Sequence, residues 1–208
     1  MNRQGAYIAA IGGHLVDLYR LLTFQVQNPH SISKLRNINA VRKACKARSF
    51  IETGTYRGVT AARASRMFER VFTIELDPVL AAEARDYLRQ FPNVEAITGD
   101  ALAVLSELLV RDDVQDVVVF LDGHFSGGGT AHGDLAEPAV LEIDVLARHR
   151  NKLCGIVIDD FRCFGKEPGF PTKAEILHAV ERHFNDEFEV MIHLDQILVT
   201  RTTRIHPE

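Results

Sequence analysis

The sequence predicts a doubly wound α/β fold: a mostly parallel sheet with helices on both faces, finished by an antiparallel hairpin. Three observations carry the expectation. Short apolar runs alternate strictly with helical patterns between residues 48 and 158, as in successive βαβ units. Those runs, Val117-Val118-Val119-Phe120-Leu121 above all, are β-branched and apolar throughout, as in strands buried on both faces of a parallel sheet. The last two runs, 188–194 and 196–201, have almost nothing between them, and so short a link permits only a hairpin.

In chain order, residues 1–47 read as helical, broken at Asn28-Pro29-His30-Ser31, with Ser31 or Ser33 able to cap the second segment. They are expected to form an N-terminal helical extension packed on a core domain of residues 48–208. Strands follow at 48–53, 71–75, 94–98, 117–121 and 155–158. Helices fall at 60–69, 78–91, 101–109 and 136–149. Asp77 is placed to cap the helix that opens on Pro78. A helix over 171–184 leads into the hairpin.

The 208 residues suit one domain, and a hydrophobic share of 46% is enough to bury a full core. A formal net charge of −4 gives no global electrostatic case for nucleic acid or an anionic membrane. Three cysteines without a pairing pattern argue against a secreted disulfide framework. No stretch approaches the roughly 20 apolar residues that span a bilayer, and the N-terminus lacks a signal peptide's basic start. A soluble cytoplasmic protein is expected. Residues 6–26 are apolar but carry Gly12, Gly13, His14, Asp17 and Arg20, so they read as an amphipathic helix packed on the domain or on a second subunit, which points to a homodimer.

Ligands of open α/β sheets sit at the carboxyl ends of the strands. Each of the five ends carries an acid: Glu52, Glu75, Asp100, Asp122, and Asp159 with Asp160. The turn after the first strand, Glu52-Thr53-Gly54-Thr55-Tyr56-Arg57-Gly58, has two glycines for a tight turn and close approach of backbone to ligand. Its spacing is not the G-x-G-x-x-G of dinucleotide folds. Glu52 would place an anion where a pyrophosphate should lie, which suits instead a ligand bearing an ammonium and a sulfonium. Glu75, about 20 residues beyond the turn, can accept both hydroxyl protons of a ribose. Asp100 can accept from an adenine amino group or cap the next helix, and both can hold.

The runs Phe50 to Thr60, Thr73-Ile74-Glu75-Leu76-Asp77-Pro78 and Gly99-Asp100-Ala101 together resemble class I S-adenosylmethionine-dependent methyltransferases, and are closest to the catechol-type, metal-dependent O-methyltransferases. The likeness runs from about residue 50 to 160. It implies a Rossmann-like seven-stranded sheet and S-adenosylmethionine as cofactor. Glu52, Gly54, Thr55, Tyr56 and Gly58 would cradle its methionine part, Glu75 would bind its ribose and Asp100 would lie near its adenine, with Leu76, Ala101 and Asp122 also among the cofactor-binding residues.

A second constellation joins Asp122-Gly123-His124 to Asp159-Asp160. Three converging carboxylates repel one another unless a cation intervenes, and hard oxygen ligands suit Mg²⁺. The resemblance places Asp122, Asp159 and Asp160 as metal ligands, with Asp122 also beside the cofactor and in catalysis. The metal would acidify and orient a substrate hydroxyl. His124 departs from the catechol pattern; it reads as a metal ligand, a general base or a polar wall residue. Residues 126–133 read as a lid or a solvated linker. Arg162 and Lys166 are candidates to grip an anionic substrate, and Cys163 is a weak candidate for a catalytic thiol.

The leading expectation is therefore methyl transfer to a hydroxyl of a small molecule, assisted by a divalent metal. The competing expectations are a non-catalytic nucleoside-binding protein of the same fold and an NAD-dependent oxidoreductase.

Overall fold

In the computed structural model of the protein, the described residues are 15, 18, 19, 22, 23, 31–122 and 138–202. In chain order they form α1 (Ser31–Cys45), β1 (Ser49–Thr53), α2 (Val59–Ala64), β2 (Arg70–Glu75), α3 (Pro78–Leu88), β3 (Val94–Thr98) and α4 (Ala101–Val110). Then come β4 (Val117–Leu121), α5 (Ala139–Arg148), a short 3₁₀ turn (Arg150–Lys152), β5 (Leu153–Ile158), α6 (Lys173–Phe184), β6 (Phe188–His193) and β7 (Gln196–Arg201). The seven strands lie in the order β3-β2-β1-β4-β5-β7-β6. The first five are mutually parallel, and β7 runs antiparallel to both β5 and β6. The expected architecture, hairpin included, is the one the chain adopts.

The two-residue alternation of the strands divides the core between two faces. Ile51, Phe72, Val119, Leu121, Ile156 and Ile158 pack with α4, α5 and α6 on one side. Phe50, Val71, Val118, Phe120 and Val157 pack with α1, α2 and α3 on the other. Burial of whole strands holds for the centre of the sheet, where every residue of β1, β4 and β5 is buried. It fails at the edges. β3 is only partly covered, and β6 exposes Val190, Met191 and Ile192, because an edge strand has a neighbour on one side only.

Helix α2 stops earlier than its composition suggests. After Ala64 the chain tightens into three-residue turns, Arg66 N–H to Arg63 and Met67 N–H to Ala64. The Asn93 amide donates to the carbonyls of Ser65 and Phe68, satisfying acceptors that a longer helix would have used internally. At the other end of the chain, the β6–β7 link is Leu194-Asp195, both in the left-handed region at φ 49° and 65°. Two such residues match the right-handed twist of the paired strands.

Helix α1 lies over β4, β5 and β7 with Ile38 and Val41 buried. Gly155 in β5 makes this approach possible. A Cβ there would stand 2.4 Å from Val41 Cγ1 and 2.8 Å from the Val199 carbonyl. Among the described residues, no helix is long and apolar enough to cross a membrane.

Candidate functional site

The strand order reverses between β1 and β4, and an open α/β sheet has its ligand crevice at that reversal, beyond the carboxyl ends. Backbone bonds align those ends: Asp122 N–H donates to Thr53 O (3.2 Å), Gly54 N–H to Ile74 O (2.9 Å), Gly99 N–H to Glu75 O (2.9 Å) and Asp159 N–H to Leu121 O (3.0 Å). The acids that end β1, β2, β4 and β5 are thus brought to one rim of the sheet.

Gly54, Tyr56 and Gly58 of the turn after β1 all have positive φ, at 89°, 48° and 72°. Gly58 has a second reason to be glycine, since a Cβ would meet Leu88 Cδ1 of α3 at 2.9 Å. Glu75 fixes the turn from below. Its carboxylate accepts Tyr56 N–H at 2.7 Å and Asp77 N–H at 3.0 Å, one on each oxygen. Asp77 caps α3 through Val79 N–H and Leu80 N–H, which leaves Glu75 for another role. Asp100 caps α4 by accepting Ala103 N–H at 3.2 Å. Leu76 follows Glu75 in the loop before α3, and Ala101 follows Asp100 as the first residue of α4.

Glu52 differs from expectation. It is 1% exposed, and Thr73 Oγ1 donates to its Oε2 at 2.6 Å, with Thr55 Oγ1 a further 2.7 Å away. Burial pushes its carboxyl up to about 8, against hydrogen bonds from Thr73 and Thr60 that favour the anion. The nearby Glu75 carboxylate adds to the rise, so burial favours the protonated form of Glu52 over the standing negative charge expected from the sequence.

The second constellation is also built differently. Lys34 Nζ, from the first turn of α1, lies 2.9 Å from Asp159 Oδ2 and 2.6 Å from Asp160 Oδ1. Arg162 Nη1 stands 2.7 Å from the same Asp160 oxygen and also pairs with Asp195 in the hairpin turn. Gln196 Nε2 donates to Asp159 Oδ1 at 3.2 Å. Asn37, one turn after Lys34, donates to Gln196 Oε1 (2.7 Å) and to the His193 carbonyl (3.0 Å). Burial pulls Lys34 down, but the two carboxylates outweigh it and hold the ammonium above its usual range. Burial raises Asp160, and Lys34 and Arg162 reverse that to a net lowering; in Asp159 burial prevails and the net shift is upward.

The cation that the sequence required between these acids is therefore an ammonium of the chain itself. Among the described residues, no group of three or more His, Cys, Asp or Glu is placed to hold a metal ion. The Asp122–Asp159–Asp160 set does not fit Mg²⁺ as it stands. His124 and the 126–133 segment lie outside the described residues. Arg162, expected at a substrate anion, is committed to Asp160 and Asp195. Burial pushes the Cys163 thiol up, away from nucleophilic character. Lys34, Asn37, Asp195 and Gln196 were not singled out from sequence. Their one local signal is Lys34 and Asn37 lying at helical spacing with buried Ile38 and Val41, polar residues on the apolar stripe.

The strand order, the antiparallel hairpin beyond β5 and the glycine turn at the reversal together make the fold that of class I S-adenosylmethionine-dependent methyltransferases. Among solved structures it is shared by the O-methyltransferase from Bacillus cereus in complex with SAH, at 15% identity and a TM-score of 0.56 over 91% of this chain and 90% of that one. Among curated proteins the chain is similar to Protein-L-isoaspartate O-methyltransferase of Koribacter versatilis, 27% identical over 145 residues, covering 66% of this chain and 64% of that protein. It is also similar to the Probable ribosomal RNA small subunit methyltransferase A of Methanococcus aeolicus, 35% identical over 81 residues, covering 36% and 30% respectively. The match spans less than two thirds of the length of either curated relative. No protein-family model matches the chain.

Proposed function

We propose that the chain transfers a methyl group from S-adenosylmethionine to a hydroxyl of a small molecule. The observation that carries this reading is the reversal of strand order between β1 and β4, with the Gly54–Gly58 turn and Glu75 at its carboxyl end. A carboxylate offers about four acceptor positions. Glu75 spends two of them on backbone N–H groups, which leaves two for the vicinal hydroxyls of a ribose. Glu52, Gly54, Thr55, Tyr56 and Gly58 would hold the methionine end, Leu76 would lie along the ribose, and Asp100 and Ala101 would border the adenine. Asp122 would stand at the reversal itself, between donor and acceptor.

The bound donor supplies a methyl group activated by its sulfonium. The chain's part is to align the acceptor oxygen with that carbon and to take the hydroxyl proton, which we assign to His124. No step is assigned to Mg²⁺, which would have to displace the Lys34 ammonium to reach Asp159 and Asp160. The hairpin argues against an NAD-dependent oxidoreductase, whose doubly wound sheet commonly continues in parallel. The exposed Leu15, Leu18, Tyr19 and Leu22 would form the face that a second copy covers.

Two measurements test the reading. Calorimetry should show one S-adenosylhomocysteine bound per chain and no NAD; the reverse result contradicts the assignment. Incubation with S-adenosylmethionine and a panel of hydroxyl acceptors, in excess chelator, should release S-adenosylhomocysteine with at least one acceptor. Binding without turnover on any acceptor would favour the non-catalytic nucleoside-binding reading, because Asp159 and Asp160 already have a structural use.

A further inference from the structure

We propose that Lys34 is a resident counterion of the Asp159–Asp160 pair, seated where a divalent cation would otherwise bind, and that the site therefore refuses Mg²⁺. The inference rests on the proposed function only in taking this pair to border the acceptor side of the crevice.

Three observations converge on it. The first is occupancy. Asp159 Oδ2 and Asp160 Oδ1 both accept Lys34 Nζ, Asp160 Oδ1 also accepts Arg162 Nη1, and Asp159 Oδ1 accepts Gln196 Nε2. Of the four carboxylate oxygens, only Asp160 Oδ2 has no donor among the described residues. A divalent ion needs several oxygens on one side of it, and the side that Asp159 Oδ2 and Asp160 Oδ1 share is already taken by the Lys34 ammonium.

The second is charge. Lys34 pairs with both Asp159 and Asp160, and Arg162 with both Asp160 and Asp195, so each neighbouring pair of carboxylates has a cation between its members. The repulsion that a metal would relieve is already offset.

The third is rigidity. Lys34 is not a surface side chain that happens to reach inward. Its helix is locked one turn later by Asn37, which bonds Gln196 and His193, and two turns later by Val41 against Gly155. Gln196 closes the loop by donating to Asp159. The Lys34 side chain is thus held 12% exposed by packing that spans α1, β5 and β7. This makes Lys34 a positioning residue, acting on the acceptor side through the two aspartates.

The test is Mn²⁺ binding, read by electron paramagnetic resonance, on the full chain as wild type, Lys34→Gln and Lys34→Arg. Wild type and Lys34→Arg should bind no stoichiometric Mn²⁺ in the low millimolar range. Lys34→Gln, which uncovers the buried Asp159 and the partly buried Asp160, should bind one ion at least about tenfold more tightly than wild type. Its melting temperature should fall and be restored by Mg²⁺ in that variant alone. One-to-one Mn²⁺ binding by wild type, no tighter in Lys34→Gln, overturns the proposal, as does Lys34→Arg binding metal like Lys34→Gln. If Lys34→Gln does not fold, wild type and Lys34→Arg still decide: stoichiometric Mn²⁺ in wild type overturns the proposal, and refusal by both upholds it. S-adenosylhomocysteine binding is measured on the same samples. Its loss in wild type would overturn the proposed function without touching the counterion.

Discussion

Glu52 shows how far a single residue can be read in advance. Its position at the end of β1, beside the glycine turn, follows from the apolar run before it. Its charge does not, because tertiary burial decides it, against the hydrogen bond that Thr73 on β2 donates to the carboxylate. The consequence for stability has a definite sign. A carboxyl raised from 4.5 to about 8 in the folded chain contributes stability below pH 4.5, and that contribution is lost as pH climbs through about 8. Glu52→Gln, which cannot ionise, should melt close to wild type at pH 5 and higher by roughly 5 °C or more at pH 8.5. Parallel melting profiles for the two proteins would show that the buried carboxyl does not titrate. The same coupling would let this turn take the cationic end of the proposed methyl donor: an approaching ammonium or sulfonium would stabilise the carboxylate and drive off its proton.

At the scale of elements, local chemistry was legible and termini were less so. Asp77 and Asp100 cap α3 and α4 because short acids favour that position, and both were readable as caps. The capping box of Thr172 and Glu175 starts α6 two residues later than a helix beginning at Pro171. The early end of α2 was not readable, because the Asn93 amide that stops it belongs to another loop. Gly58 joins both kinds of information. Its positive φ belongs to the turn, whereas its contact with Leu88 belongs to the packing of α2 on α3. Gly58→Ala meets both obstacles and should cost about 1–3 kcal/mol in denaturant unfolding. A loss below about 0.5 kcal/mol would mean that the turn relaxes without strain.

For the whole molecule, the parallel sheet and its hairpin were predictable because periodicity and link length are local properties of the chain. The cation at the acid pair was not, since Lys34 and Asp159 are 125 residues apart. The demand for a positive charge was legible in Asp159-Asp160; its source was set by the docking of α1. That docking depends on Gly155. Gly155→Ala should destabilise the chain by about 1–3 kcal/mol. Adding Val41→Ala should recover part of the loss, seen as a coupling of about 0.5–1.5 kcal/mol in a double-mutant cycle. Recovery should be incomplete, because the Val199 carbonyl, 2.8 Å from the new Cβ, cannot move aside. Strict additivity would contradict a direct clash. The central claim, that the β1/β4 reversal holds the methyl donor, is tested most directly by a crystal soaked with S-adenosylhomocysteine and Mg²⁺. The account predicts ligand density over the Gly54–Gly58 turn, ribose hydroxyls on Glu75, and the Lys34 ammonium still between Asp159 and Asp160. Density elsewhere, or a crevice without ligand at saturating S-adenosylhomocysteine, would contradict it.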